Sequence, residues 1–207
     1  MRLTLCLLAF WFALVASPAL AEEAAQRKLT TYLAELNSLE AGFEQQLQNS
    51  RGQRLQASEG EMRLLNPGRF YWETHQPFPE VLVSDGETLW LYDPDLEQVT
   101  VQALDQRLAA TPALILSGDA SDLTEHFSVS LQQVGHLDIF TLRPKAQDSL
   151  FEAMSLHFSE GQLQSLRLED SLGQQTRVDL INPRFNQPLD IQAFEFVIPE
   201  GVDVIRE

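Results

Sequence analysis

The sequence predicts a mainly β domain: about ten or eleven antiparallel strands, one N-terminal helix and one helical insert. Three observations carry this. From Leu39 onward apolar and polar residues alternate with a period of two, as in half-buried strands. Turn-forming residues recur about every ten residues, the signature of antiparallel strands in chain order. Only Glu22–Leu36 shows helical spacing over any length, with Leu29, Tyr32, Leu33 and Leu36 on one stripe.

The chain opens with Met1-Arg2, an apolar run from Leu3 to Leu20 and the small-x-small site Ala19-Leu20-Ala21. This order describes a secretory signal peptide cleaved after Ala21; retention as an anchor is the alternative. The remaining segment, 22–207, is expected to form a single domain, because it contains neither repeats nor a low-complexity linker. It is then expected to be exported. The one cysteine, Cys6, lies inside the leader, so the exported domain has no disulfide and relies on its core. The net charge of −16 disfavours nucleic acid as a partner.

After the helix, Phe43, Gln45 and Leu47 alternate with Glu44, Gln46 and Gln48. Arg51-Gly52 turns the chain into Arg54–Leu65. Arg69–Glu73, Glu80–Ser84 and Glu87–Tyr92 follow as a meander, divided by Asn66-Pro67-Gly68, Pro77-Phe78-Pro79 and Asp85-Gly86. Proline presets φ and glycine admits positive φ, so each break has a cause. Asp-Gly between apolar runs is a strong hairpin signal. Leu96–Val101 adds one more strand. In 103–126 the period is lost, and Thr111-Pro112 starts a helix with an N-cap and a first-position proline. Strands resume at Phe127–Gln132, Asp138–Leu142, Ala153–Phe158, Leu163–Leu168 and Gln175–Ile181. Phe194-Glu195-Phe196 and Pro199–Asp203 are expected to end the chain as a short edge strand.

Motifs for catalysis are absent: there is no G-x-S-x-G, P-loop, G-x-G-x-x-G or H-E-x-x-H. His75, His126, His136 and His157 have no ligand spacing. Asp93, Asp95 and Glu97 lack the glycine and terminal glutamate of a calcium loop and read as a turn. These observations argue against an enzyme and against a metal or other cofactor. What stands out is apolar: Phe70, Tyr71, Trp72, Phe78, Trp90 and Tyr92 cluster within the meander. Such a set either fills a core or lines a concavity, and two helical segments are few to cover so large a sheet.

The segments Gly60–Glu73, Leu82–Pro94, Leu96–Thr100, Thr111–Leu116, Leu142–Lys145 and Pro199–Asp203 resemble the LolA family of periplasmic lipoprotein carriers, in order and over essentially the whole exported chain. The resemblance implies an incomplete, half-open antiparallel β-barrel covered by the N-terminal helix and a helical lid. It implies a cavity for acyl chains, with Phe70 and Trp72 at its wall and Phe43, Leu47, Met62, Leu64 and Trp90 as further candidates. Leu33, Leu114, Leu116 and Ser117 match the lid. Asn66 occupies the latch position, where the best-known members carry an arginine that bonds lid backbone. The implied partners are acylated lipoproteins, the inner-membrane ABC exporter LolCDE and the outer-membrane receptor LolB; the implied state is a monomer without a cofactor. The receptor's own role requires a cysteine for lipid anchoring at the start of the exported chain, and this chain has none there. A LolA-like binding protein for another lipid and an envelope-assembly interaction module are the alternative readings.

Overall fold

The computed structural model describes residues 18–104, 116, 123, 125–146, 149 and 151–206. Helix α1 spans Pro18–Ala34. The strands are β1 Ser38–Gln48, β2 Arg54–Leu65, β3 Arg69–Gln76, β4 Glu80–Asp85, β5 Thr88–Asp93 and β6 Gln98–Ala103. They continue with β7 Phe127–Val134, β8 Leu137–Pro144, β9 Phe151–Ser159, β10 Gln162–Asp170, β11 Gln175–Phe185 and β12 Asp203–Arg206.

All twelve described strands form one sheet in the order β12-β6-β5-β4-β3-β2-β1-β11-β10-β9-β8-β7. Two corrections follow. The described strands number twelve rather than ten or eleven. The expected terminal edge strand is β12, which lies at Asp203–Arg206 and pairs parallel to β6, with Asp203 opposite Gln98. Phe194–Phe196 is no strand: Asp190 accepts a hydrogen bond from the Gln192 amide and caps a 3-10 turn at Ile191–Phe194. The sheet does not close on itself; β12 and β7 are its edges. Of the insert expected at 103–126, Leu104, Leu116 and Leu123 are buried in the core, while Leu114 and Ser117 lie outside the described residues.

Helix α1 begins at Pro18, upstream of the expected Glu22, and runs through the Ala19-Leu20-Ala21 site. Its buried stripe is Ala25, Leu29 and Leu33, continued by Leu36 beyond its last turn. Two asparagines bond the carbonyls of the two residues that follow the helix. Asn186 Nδ2 donates to the Glu35 carbonyl at 2.9 Å, and Asn66 Nδ2 donates to the Leu36 carbonyl at 2.6 Å. Asn186 Oδ1 also accepts from the Asn37 amide at 2.8 Å. The end of the helix is thereby tied to the β2–β3 turn and to the end of β11. No described helix is long and apolar enough to cross a membrane.

Candidate functional site

Cross-strand register decides which side chains share a face. Met62 pairs with Trp72, and Leu64 with Phe70. Ala41 pairs with Met62, Leu39 with Leu64, and Phe43 with Gly60. Residues opposite one another lie on the same face, so Leu39, Ala41, Phe43, Met62, Leu64, Phe70 and Trp72 form one apolar surface. None of them is more than 9% exposed. Phe43 stacks on Trp72 with centroids 3.8 Å apart and planes 22° from parallel, and Trp72 lies beside Phe70 at 6.1 Å. Leu47 shares this parity near the far end of β1 and is half-buried. Leu33 of α1 and Leu116 of the insert pack in the same cluster.

Trp90 does not join them. Trp72 pairs with Leu82, Leu82 with Leu91, and Ser84 with Leu89, so β5 turns Leu89 and Leu91 inward. Trp90 pairs with Val83 and Val101 and faces outward. There the C-terminal segment covers it: Phe196 lies 6.3 Å from Trp90 and 5.9 Å from Tyr92. Val83, Val99 and Phe194 are buried outside the main cluster. Parity counted across the Asp85-Gly86 hairpin would have placed Trp90 outward and supplied Leu82, Leu89 and Leu91 as inner-face residues.

A polar anchor fixes α1 at the opposite end of the sheet. The Asp138 carboxylate accepts from Tyr32 Oη at 2.8 Å and from Gln133 Nε2 at 2.7 Å, and pairs with Lys28 Nζ at 2.7 Å. Burial by itself pushes the Asp138 carboxyl up. The bonds from Lys28, Gln133 and Tyr32 together outweigh that and hold it below the usual carboxylate value. The same bond raises Lys28 above the ordinary lysine value. The Tyr32 ring packs edge-on against Phe140 at 5.8 Å and tilted against Phe158 at 5.2 Å. Helix, hairpin and inner face therefore meet at one residue pair. No local pattern signals this, because Tyr32 and Asp138 stand 106 residues apart.

At Asn66, the residue that the resemblance matched to a latch, Nδ2 bonds the Leu36 carbonyl just past the helix, while Oδ1 is buried with no partner among the described residues. An unclosed, mostly antiparallel sheet with a long apolar inner face and one helix anchored to it defines a β-cradle class of protein. The family model described as "Outer membrane lipoprotein carrier protein LolA" matches residues 34–197. The chain belongs to that family. It is 45% identical over 207 residues, all of both chains, to an outer-membrane lipoprotein carrier protein of Azotobacter vinelandii. It is 46% identical over 187 residues, 90% of this chain and 89% of the relative, to one from Chromohalobacter salexigens. Among solved structures, an uncharacterized conserved protein from Thermus thermophilus is similar with a TM-score of 0.55 at 12% identity, over 89% of this chain and 98% of the other. That likeness concerns the fold alone.

Proposed function

We propose that the chain is a periplasmic carrier that shields lipoprotein acyl chains against its inner face and delivers them to the outer membrane. The observation that carries this reading is the continuous apolar surface of Phe43, Met62, Leu64, Phe70 and Trp72, in one buried cluster with Leu29 and Leu33 of α1, in a chain of the LolA family. Three acyl chains expose roughly 45 methylenes, each worth about 0.8 kcal/mol. That is on the order of 35 kcal/mol in total, so unshielded transit through water is excluded.

Leu29, Leu33 and Leu36 of the helical segment, with Leu116 of the insert, occupy the inner face in the described form. Cargo must displace some of these side chains, and they must return on release, because an exposed patch of that size would aggregate. Asn66 acts as the latch by holding the end of α1. Cleavage after Ala21 would leave Glu22 at the start of the helix, in a single carrier domain over 22–207. Loading from the LolCDE exporter, unloading to LolB and a monomeric, non-enzymatic state complete the reading. The protein added to spheroplasts with a functional exporter is expected to release newly made lipoproteins as a soluble complex. Retention of the lipoproteins in the inner membrane would overturn the assignment.

A further inference from the structure

The outward face of the sheet carries a charge arrangement that acyl-chain binding does not use. Thr141 faces Ser155 across β8 and β9, Ser155 faces Arg167 on β10, and Arg167 faces Arg177 on β11. Their neighbours Leu142, Met154 and Leu166 point into the core, so this row points out. Arg143 follows two residues after Thr141 on the same face. These residues border an outward groove of about 360 Å³, with Glu169 as the carboxylate in its lining.

Like charges directly opposite each other weaken a sheet. Arg167 and Arg177 are such a pair. Arg177 is compensated by Asp179, with Nε 2.8 Å from Oδ2. Arg143 and Arg167 make no ion pair among the described residues. The chain has fourteen basic residues against thirty acidic ones, so three arginines on one groove run against its charge balance. A groove that holds two arginines without an ion pair, beside a third held by Asp179, is suited to capturing an anion on an acidic protein.

We propose that this groove binds a phosphate group, as a phosphomonoester or phosphodiester, through the guanidiniums of Arg143, Arg167 and Arg177. Phosphate offers several oxygens in a tetrahedral array, and guanidinium forks match them in pairs. A carboxylate has two oxygens and satisfies one fork. The Ser155 and Thr141 hydroxyls supply further donors between the arginines. His157 lies beside the groove, its Nε2 3.3 Å from Ser155 Oγ. Burial and then Arg167 and Arg177 hold its imidazole below the ordinary value. The groove's positive charge thus comes from arginines and persists across neutral pH. The site lies on the face opposite the apolar inner surface, so its occupancy stands apart from the carrier reading.

The test uses the purified protein, the Arg167→Gln/Arg177→Gln double variant and an Arg27→Gln control on α1. Melting is followed with inorganic phosphate at constant ionic strength. Flotation is followed with phosphatidylcholine vesicles, with and without phosphatidylglycerol. Phosphate is expected to raise the melting temperature of the unmodified protein and the control saturably, and to leave the double variant unmoved. Removing the opposed arginines relieves their repulsion and also removes the exposed Arg177–Asp179 pair, two small and opposed effects, so the double variant is expected to melt within a few degrees of the parent without phosphate. If the ligand is a lipid headgroup, phosphatidylglycerol vesicles also float the parent, and the double variant floats about tenfold less. Phosphate stabilisation without flotation assigns the groove to a soluble phosphate compound. Equal responses of parent and double variant in both arms overturn the proposal. So does a polyglutamate peptide that binds where phosphate does not, which assigns the groove to an acidic protein.

Discussion

The Phe43 ring lies flat on the Trp72 indole, 3.8 Å between centroids, although their strands β1 and β3 are separated by β2. The residue of β2 opposite Phe43 is Gly60. A Cβ on Gly60 would stand 2.8 Å from the Phe43 ring and 1.8 Å from the Glu73 carbonyl oxygen. The register also shifts between Glu59 and Gly60. Gly60 is therefore the gap across which the two aromatics reach each other, and the missing side chain is replaced by the ring above it.

Gly60→Ala is expected to force the β2–β3 backbone and the Phe43 ring apart. The backbone oxygen cannot yield as a flexible side chain would, so the cost is about 2–4 kcal/mol. At roughly 2–4 °C per kcal/mol for a domain of this size, calorimetry should show a lower melting temperature by about 4–16 °C. The near-UV circular dichroism of the stacked indole should weaken with it. A variant that melts with the parent and keeps its aromatic signal removes Gly60 from this role.

Most of the inner face was legible because strand alternation is a local property. Phe43, Met62, Leu64, Phe70 and Trp72 follow from parity within three adjacent strands. Trp90 was misplaced because an aromatic-rich run looks alike on both faces until register is counted through the hairpin. The outer cover that makes its position favourable comes from Phe194 and Phe196, more than a hundred residues later. The four-residue β12 carries too little pattern to reveal its parallel pairing with β6. The Asp138 anchor was equally hidden, since an acidic chain offers many carboxylates and only tertiary contact singles one out.

Acidification should reveal His157 first. Its folded-state pKa lies below the ordinary histidine value of 6.5, chiefly through burial. The unfolded chain therefore takes up a proton at this site before the folded one does. The associated stability is present above pH 6.5 and is lost as pH falls through the folded value. Asp138 and Glu40, held below the usual carboxylate value, lose their contributions only at still lower pH. Glu80, raised by burial, has the opposite sign and gains on protonation within the carboxylate range. Melting temperatures measured from pH 7.5 to 5.5 should fall for the parent and fall less for His157→Gln. Parallel curves for the two proteins would falsify the burial account of His157.

Asn66 divides its amide between one satisfied and one unsatisfied atom. Nδ2 meets the Leu36 carbonyl at 2.6 Å, and Oδ1 is buried with no partner among the described residues. A buried acceptor without a donor costs about 1–3 kcal/mol, which offsets much of what the Nδ2 bond contributes. The tie at the end of α1 is therefore weak by composition, and under the proposed function a weak tie suits a helix displaced by cargo. Arginine at this position keeps donors for the Leu36 carbonyl and removes the orphaned acceptor. Asn66→Arg is expected to raise the melting temperature and slow uptake of a fluorescent fatty acid in stopped-flow mixing. Asn66→Asp removes the donor and sets a carboxylate against a carbonyl. It should lower stability by about 1–3 kcal/mol and speed uptake. Opposite effects on stability and uptake in the two variants identify the α1 tie as the barrier to loading. If both variants load at the parent's rate while their melting temperatures diverge, the barrier lies elsewhere, and the Asp138 anchor at the other end of the inner face is the next contact to break.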